Sequence, residues 1–248
     1  MTKKLYGIGV GPGDPELLTI KAKRILEKVD IIYTPISSKG KESRALGIIT
    51  DIINRENTRI EKLLFPMSKN KKVKEKYWQK NSKKINSDLD RVEEVAYITI
   101  GDPLFYSTYI YILDNIKKQF PEINIETIPG ITSISAGAAR FNIPLAQKKE
   151  KLMILPDIPD IVRLKNIIEE FDNIVILKVS RNYEKLIELL EEFNLKDNFV
   201  FISECGYPQE FITCDIEELK NNKIEYLSLV ICKQGKNISE YISREELR

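Results

Sequence analysis

The sequence predicts an α/β protein built from two domains. In the first half, short apolar runs alternate with segments of helical periodicity, which is typical of a parallel sheet with crossover helices. A proline interrupts the chain at residues 120–122, and the pattern that follows ends in two strand candidates that can pair antiparallel. The length of 248 residues, with 42% hydrophobic and 31% charged residues, is ordinary for two small globular domains. We therefore expect a mostly parallel sheet in residues 1–120 and a mixed sheet in residues 121–248.

Strands of the first domain are predicted from apolar runs that end at turn residues. They cover residues 5–10, 30–34, 60–65 and 95–100, and Pro35 stops the second of them. Apolar residues at helical spacing predict helices over residues 19–29, 45–53 and 107–119.

The second domain has the same two signals in a less regular order. Strands are predicted over residues 123–128, 152–155, 174–179, 199–202 and 227–232. Helices are predicted near residues 132–141, 161–171 and 183–193.

A basic run interrupts the first domain. Residues 69–84 contain eight lysines and one glutamate, with Tyr77 and Trp78 among them. Two interpretations stay open, a solvated helix or loop and a surface that faces an anion.

Composition excludes several classes of site. Lysine and arginine number 39 against 37 aspartates and glutamates, so the net charge of +2 favours no class of partner. The chain has no histidine, which excludes Ser-His-Asp and Cys-His catalysis and histidine-bound metals. Cys205, Cys214 and Cys232 are widely spaced without a CxxC pattern, so neither a disulfide framework nor a zinc site is expected. Because no apolar stretch reaches about 18 residues and no signal segment is present, we expect a cytoplasmic protein without a membrane partner.

A glycine-rich loop, GIGVGPGD, covers residues 7–14 after the first predicted strand. A dinucleotide-binding fingerprint fits it badly, because Pro12, Asp14 and Pro15 place turns where the first free amides of a helix should lie. The acidic residue that should end the second strand is also absent, since Asp30 precedes the apolar run of that strand and Thr34 and Pro35 close it. The loop is therefore either a ligand loop of another kind or a plain tight turn.

Two further loops at strand ends have the composition of ligand sites. In the loop 99–108, Gly101 permits close approach of a backbone, Asp102 offers a carboxylate, and Ser107 or Thr108 can cap the next helix. The loop 128–133, IPGITS, repeats this arrangement, with Thr132 or Ser133 as the cap. Ligands bind at the carboxyl ends of strands in open α/β sheets, and a simple helix cap is the alternative for each loop.

Taken together, the three loops make the chain resemble the tetrapyrrole (corrin and porphyrin) methyltransferase family. The resemblance runs from residue 5 to about residue 233 and is carried by GVGPGDPELLT at 9–19, GDP at 101–103 and PGI at 129–131. The segments FPM at 65–67, YSTY at 106–109, PGITS at 129–133 and YLSLV at 226–230 are similar to one branch of that family. That branch methylates carbon 20 of precorrin-2 or of its cobalt complex, cobalt-factor II, in cobalamin biosynthesis.

The resemblance implies two α/β domains with S-adenosylmethionine, the methyl donor, folded into a cleft between them. It implies a cofactor site formed by Pro12, Ile100, Gly101, Asp102, Phe105, Thr132, Ser133, Leu177, Gly206 and Ser228. It implies a tetrapyrrole site formed by Gly11, Gly13, Asp14, Tyr106 and Ser107, to which Lys72 of the basic run adds a partner for substrate carboxylates. A homodimer is also implied, with no protein-bound metal, since any cobalt arrives within the substrate. Methylation of carbon 20 also requires loss of the proton on that carbon. Asp102 and Glu204 are the carboxylates in the matched loops, and neither is assigned as the base that removes it.

Other functions stay open at this point. A sibling corrin methylase acting at another carbon and diphthine synthase, which methylates a protein side chain, share the same loops. An RNA-binding or RNA-modifying protein would instead use residues 69–84 with Tyr77 and Trp78, and a salt-dependent affinity for RNA would support it. The family resemblance favours a tetrapyrrole substrate and no nucleic acid.

Overall fold

A computed structural model describes residues 3–53, 58–235 and 238 and divides the chain into two compact units, Met1–Thr132 and Ser133–Arg248. The two predicted domains met at 120/121, whereas the units meet at 132/133. The reason is β5 (Asn124–Ile128), which pairs in parallel with β1 (Lys4–Gly9) and so keeps its segment in the first unit. The outermost parts of the predicted domains, residues 1–2 and 239–248, lie outside the described residues.

In the first unit, strands and helices alternate along the chain, as predicted. After β1 come α1 (Ile20–Leu26), β2 (Ile31–Ile36), α2 (Arg44–Ile49), β3 (Arg59–Leu64), α3 (Lys71–Asp88), β4 (Glu94–Thr99), α4 (Tyr109–Gln119) and β5. Within the described residues the five strands form one parallel sheet in the order β3-β2-β4-β1-β5. All five carboxyl ends therefore lie along one edge of the sheet.

One face of this sheet packs under α3 and α4. Tyr33 of β2, Tyr97 of β4 and Tyr109 of α4 are fully buried there, together with aliphatic side chains such as Leu5 and Ile112. Burying each large apolar side chain contributes about 1.5–3 kcal/mol, so this layer supplies much of the unit's stability. The helix α3 also settles the structure of the basic run, which is helical from Lys71 onward.

The predicted end of the second strand at Pro35 is wrong, since β2 continues to Ile36. The strand β4 pairs with β2 only at residues 31–33, and Pro35 pairs only with β3, opposite Leu63. The missing N–H of Pro35 therefore removes no hydrogen bond on the β4 side.

The second unit contains the expected mixed sheet. Its elements are α5 (Ser133–Arg140), β6 (Leu152–Leu155), α6 (Ile161–Glu170), β7 (Asn173–Leu177), α7 (Tyr183–Glu192), β8 (Phe199–Ser203), β9 (Phe211–Thr213), α8 (Ile216–Asn221) and β10 (Ser228–Lys233). The sheet order is β6-β7-β10-β8-β9; β6 and β7 are parallel, and the remaining pairs are antiparallel. The predicted antiparallel pairing of the last two strand candidates is confirmed as β8 with β10, although the unpredicted β9 and α8 lie between them in the chain.

None of the helices in the described part of the chain is long and apolar enough to cross a membrane.

Candidate functional site

Three glycines meet at the carboxyl edge of the first sheet: Gly9, Gly101 and Gly130, which we call the glycine junction. A Cβ on Gly9 would lie 2.8 Å from the Cα of Gly130 and would overlap the carbonyl oxygen of Gly101. A Cβ on Gly130 would overlap that same oxygen and lie 2.8 Å from the Cα of Gly9. Side chains cannot approach backbone atoms so closely, so only glycine at 9 and 130 lets the three loops converge.

Hydrogen bonds hold the loops of the junction together. The N–H of Gly101 donates to the carbonyl oxygen of Gly11 over 2.7 Å. The carboxylate of Asp102 accepts from the N–H of Gly130 at Oδ2, over 3.1 Å, and from the N–H of Leu104 at Oδ1, over 2.8 Å. Asp102 thus links two of the predicted ligand loops. Each carboxylate oxygen can accept more than one hydrogen bond, so a ligand donor can still be accommodated.

Gly101 differs from the other two glycines because its missing side chain faces open space. The nearest atom to a Cβ built there is the carbonyl oxygen of Ile131, 4.0 Å away. The residue has φ +66°, a left-handed conformation that favours glycine. A ligand can therefore approach the backbone at Gly101, which fits the methyl donor expected there.

Consecutive hydroxyl groups anchor the start of α4 to the sheet beneath the loop 101–106. Ser107 is buried; its Oγ donates to Thr99 Oγ1 over 2.9 Å and accepts from the N–H of Tyr109 over 3.1 Å. The hydroxyls of Thr108 and Tyr97 lie 2.7 Å apart. The hydroxyl of Tyr109 lies 3.0 Å from Thr127 Oγ1. The Ser107 hydroxyl, expected to face substrate, is thus engaged inside the protein.

The two tyrosines of this anchor stay protonated. Burial raises the pKa of Tyr97 well above its ordinary value, although the hydrogen bond with Thr108 acts in the opposite sense. Burial likewise raises the pKa of Tyr109. Neither phenol is suited to act as a base, so both serve as neutral hydrogen-bonding groups.

The surface above the junction is apolar. Leu104, Tyr106 and Ile131 are exposed, and the ring of Phe105 packs edge-on against that of Tyr106 at 4.7 Å between centroids. Tyr106 has φ +53°, which is strained for a residue with a large side chain. Such strain is concentrated at functional sites, and here it holds an aromatic ring at the loop surface.

The first glycine-rich loop packs more tightly than a phosphate-binding loop would. Gly11, Pro12 and Gly13 are buried, and Asp14 Oδ1 accepts from the N–H of Glu16 to cap a short 3₁₀ turn. The amides at this turn are used by the protein itself. The structure therefore agrees with the rejection of a dinucleotide fingerprint.

In the second unit, Leu177, Ser228 and Gly206 gather at one edge of the sheet. Leu177 ends β7 and pairs with Leu229, while Ser228 begins β10 and pairs with Ser203 at the end of β8. The Oγ of Ser228 accepts from the N–H of Ser180 over 3.1 Å. Leu177 and Ser228 therefore lie on neighbouring strands, and Gly206 lies in the loop that follows β8.

Left-handed residues follow two strands at this edge. Lys178 has φ +55° directly after β7, and Glu204 has φ +54° directly after β8. Glu204 is buried, and its Oε2 accepts from Gln209 Nε2 over 3.3 Å. Two strained residues at the ends of β7 and β8, the strands on either side of β10, mark this edge as a functional candidate.

The loop that contains Gly206 is held by residues that sequence reasoning missed. The N–H of Gly206 donates to Glu210 Oε2, and Arg140 Nε donates to Glu210 Oε1, each over 2.8 Å. Arg140 lies on α5, far from Glu210 in sequence, so no local pattern indicates the pair. Thr99 begins the second predicted loop, but its role as the partner of the Ser107 hydroxyl was not predicted.

Three further predicted residues lie outside the glycine junction. Thr132 ends the first unit and Ser133 begins α5. Lys72 is exposed in the first turn of α3, beside the edge strand β3. Among the described residues, no group of three or more Cys, Asp or Glu is placed to hold a metal ion.

Comparisons with known proteins agree with the resemblance. A family model described as tetrapyrrole (corrin/porphyrin) methylases matches residues 4–220. A probable cobalt-precorrin-2 C(20)-methyltransferase of Methanocaldococcus jannaschii is 41% identical over 240 residues, 95% of this chain and 98% of that protein. A cobalt-precorrin-2 C(20)-methyltransferase of Salmonella typhimurium is 32% identical, over 93% of this chain and 96% of that protein.

Solved structures share the fold. The X-ray structure of a cobalt precorrin-4 methyltransferase superposes with a TM-score of 0.70 at 19% identity, covering 93% of this chain and 94% of that one. A uroporphyrin-III C-methyltransferase from Thermus thermophilus, complexed with S-adenosylhomocysteine, has a TM-score of 0.62 at 18% identity, covering 93% and 97%.

Proposed function

The chain belongs to the tetrapyrrole (corrin/porphyrin) methylase family, and from this premise we propose that it transfers the methyl group of S-adenosylmethionine to carbon 20 of cobalt-precorrin-2 or precorrin-2. The reaction is a step of cobalamin biosynthesis. The observation that carries the proposal is similarity along nearly the whole chain to two enzymes named for carbon 20 of the cobalt compound, at 41% and 32% identity.

A sibling enzyme for another carbon is less similar. The cobalt-precorrin-4 C(11)-methyltransferase of M. jannaschii is 27% identical over 146 residues, only 58% of this chain. A precorrin-2 C(20)-methyltransferase from a Sinorhizobium species is also 27% identical, but over 92% of this chain. The relatives that match nearly the whole chain thus agree on carbon 20 but differ in whether the substrate contains cobalt. We favour the cobalt form because the two more similar relatives are named for it.

We assign the methyl donor to the open side of Gly101. S-adenosylmethionine supplies a methyl group already activated by its sulfonium, so the chain orients the reactants and excludes water. As the bond from the methyl group to carbon 20 forms, the bond from sulfur to the methyl group breaks and S-adenosylhomocysteine leaves. Carbon 20 then loses its proton to a base that we do not assign. Pro12, Ile100, Asp102 and Phe105 are the proposed partners in the first unit, and Asp102 also fixes the loop around Gly101. Thr132, Ser133, Leu177, Gly206 and Ser228 are proposed donor residues on the resemblance.

The tetrapyrrole is assigned to the loops that carry Gly11, Gly13, Asp14 and Tyr106. The exposed ring of Tyr106 offers an apolar surface to a macrocycle. The hydroxyl of Ser107 is engaged with Thr99, so we propose that Ser107 acts on the substrate by fixing this loop.

The remaining parts of the proposal come from the composition of the chain and from the family resemblance. The enzyme is a cytoplasmic homodimer that acts without nucleic acid, membrane or protein-bound metal. Light scattering on the purified protein tests the dimer, because a mass of one chain at micromolar concentration contradicts it.

The function is tested by anaerobic incubation with ¹³C-methyl S-adenosylmethionine and either precorrin-2 or its cobalt form. Mass spectrometry should show the gain of one methyl group, and NMR should place the label on carbon 20. A label on another carbon would establish a sibling methylase instead. Absence of product with both tetrapyrroles, from a folded protein that binds the donor, would overturn the proposal.

A further inference from the structure

The basic run forms a lysine stripe on α3, which we define as Lys72, Lys76, Lys80 and Lys83. These positions are spaced by three or four residues, so they lie on one face of the helix, and all four are exposed. The opposite face carries Asn81, Ser82 and Ile85, which are buried. The stripe therefore points to solvent along most of an 18-residue helix.

The stripe has no counter-charge within the described part of the chain. Lys84, beside it in sequence, pairs with Glu61 and Asp88 at 3.4 Å, and Lys71 pairs with Glu75 at 3.8 Å. The four lysines of the stripe form no such pair with any described residue. Like charges one turn apart destabilise a helix, so this arrangement does not arise from helix stability.

One end of the stripe lies at the same sheet edge as the glycine junction. The edge strand β3 ends at Leu64, and the chain turns through residues 65–70 before α3 begins at Lys71. In a parallel sheet such a helix starts at the carboxyl edge and runs back. Lys69 and Lys72 are thus placed at the edge where Gly9, Gly101 and Gly130 meet, whereas Lys80 and Lys83 lie toward the opposite edge.

Trp78, one of the two aromatic residues of the run, is engaged in packing within the first unit. Trp78 stacks face to face with Tyr111 of α4, with 3.9 Å between centroids and an interplanar angle of 5°. One face of its ring is therefore covered. Non-specific RNA binding relies on exposed aromatic rings beside the cations, so this surface favours an anion bound by charge alone.

We propose that the lysine stripe captures the carboxylate side chains of the tetrapyrrole. This inference rests on the proposed function, because a tetrapyrrole of this pathway carries a rim of acetates and propionates. Lys72, with Lys69 before the helix, binds carboxylates at the sheet edge. Lys80 and Lys83, about 12 Å or more from Lys72 along the helix, act at long range by raising the rate of encounter.

Pairs of substitutions with equal charge change separate these roles. The near pair is Lys69→Gln with Lys72→Gln, and the distal pair is Lys80→Gln with Lys83→Gln. The control pair is Lys117→Gln with Lys118→Gln, two exposed lysines in the last turn of α4, toward the opposite sheet edge. The first measurement is the affinity for uroporphyrin, a stable octacarboxylate porphyrin, by fluorescence titration. The second is tetrapyrrole and donor kinetics at about 20 mM and about 300 mM salt, where screening is weak and strong respectively.

The near pair should weaken uroporphyrin binding and raise the tetrapyrrole KM by about tenfold at low salt, with part of the loss remaining at high salt. The distal pair should lower kcat/KM for the tetrapyrrole by about threefold at low salt only. The donor KM should not change in any variant.

If the near pair has the same uroporphyrin affinity and tetrapyrrole KM as the control pair, the carboxylate contact is wrong. If the distal pair has the same tetrapyrrole kcat/KM at low salt as the control pair, the long-range role is wrong. RNA binding lost in the near pair, with tetrapyrrole constants unchanged, would assign the stripe to nucleic acid and also overturn the inference. Uroporphyrin binding requires no methyl transfer. A wild-type protein that binds it through the stripe but forms no product would therefore contradict only the proposed function.

Discussion

Within the glycine junction, the residues lack a side chain for two different reasons. Gly130 lies against backbone, while Gly101 faces open space. Gly130→Ala should therefore destabilise the protein by about 3 kcal/mol or more, because the backbone of Gly9 and Gly101 cannot move aside. Gly101→Val should cost only the left-handed strain, about 1–2 kcal/mol, and leave a folded protein that no longer binds S-adenosylmethionine. Denaturant unfolding and calorimetry measure the two effects.

Each variant is the control for the other, because one should lose stability and the other should lose affinity for S-adenosylmethionine. If folded Gly101→Val binds the donor with unchanged affinity, the assignment of the open side to S-adenosylmethionine is wrong. If Gly130→Ala is as stable as the wild type, the close approach of the three loops is wrong.

Sequence reasoning at this scale found the residues but not their separate roles. The pattern around Gly101 and Gly130 was visible, because glycine beside proline at a strand end marks a ligand-type loop. That Gly130 serves packing and Gly101 serves access depends on distances between loops, which one sequence does not contain. The same reason hides Glu210 and Arg140, which are 70 residues apart in the chain.

Among the elements, the attachment of α4 to the sheet is the feature that fixes the ligand loop before it. Ser107→Ala leaves the buried hydroxyl of Thr99 and the N–H of Tyr109 without their partner, so it should cost about 1–3 kcal/mol of unfolding free energy. Combined with Thr99→Val it should cost less than the sum of the single changes, because both remove one shared hydrogen bond. Denaturant unfolding of the three variants measures this coupling.

The kinetics of the same variants decide what Ser107 does for the substrate. A positioning role predicts that Thr99→Val raises the tetrapyrrole KM as Ser107→Ala does. A raised KM in Ser107→Ala alone would instead mean that the Ser107 hydroxyl contacts the substrate directly.

A charged link between β2, β3 and α3 should make the first unit sensitive to acid. Burial raises the pKa of Asp88, but hydrogen bonds from Tyr33 and Arg59 outweigh burial and hold that pKa below its ordinary value. The folded state thus binds the Asp88 proton less readily than the unfolded chain, whose value is about 3.9. The stability that Asp88 confers is present above about pH 4 and is lost as the pH falls through the folded pKa.

Asp88→Asn should therefore lower the unfolding free energy by about 2 kcal/mol at pH 7 and flatten its decline below about pH 4. Glu126→Gln is the control, since hydrogen bonds from Lys21 and Lys4 lower the pKa of Glu126 at a more exposed site. Its effect should have the same sign and be smaller. If the unfolding free energy of Asp88→Asn declined below about pH 4 as steeply as that of the wild type, the charged link would be contradicted.

The long periodic elements were predicted, whereas two of the short ones were missed. The amphipathic patterns over residues 161–171 and 183–193 correspond to α6 and α7. Each helix has ten residues, so its apolar residues repeat over nearly three turns, which is enough to recognise the helical period. The strand β9 has three residues and α8 has six, too few to repeat either period. The basic run had no decisive apolar stripe, and its helical state depends on packing by Trp78 and Ile85 against the rest of the unit.

For the molecule as a whole, the sequence restricts the possible catalytic groups more firmly than it restricts the strand order of the fold. The order of the apolar runs predicted a parallel sheet in the first half of the chain and a mixed sheet in the second half. The strand order β3-β2-β4-β1-β5 did not, since several right-handed connections satisfy the same alternation. The absence of histidine in all 248 residues, by contrast, is a direct statement about catalysis.

That absence predicts methyl transfer without a protein-bound transition metal. The other soft ligands are cysteine thiolates, and burial raises the pKa of Cys232 to about 12 and also raises that of Cys214, so both remain thiols at neutral pH. Enzyme dialysed against EDTA should therefore keep full activity on a supplied tetrapyrrole. Cys205→Ser, Cys214→Ser and Cys232→Ser should each keep the donor and tetrapyrrole KM, with a loss of stability where the thiol is buried. Activity lost on chelation and restored by zinc or magnesium would overturn this mechanism and direct attention to a carboxylate metal site.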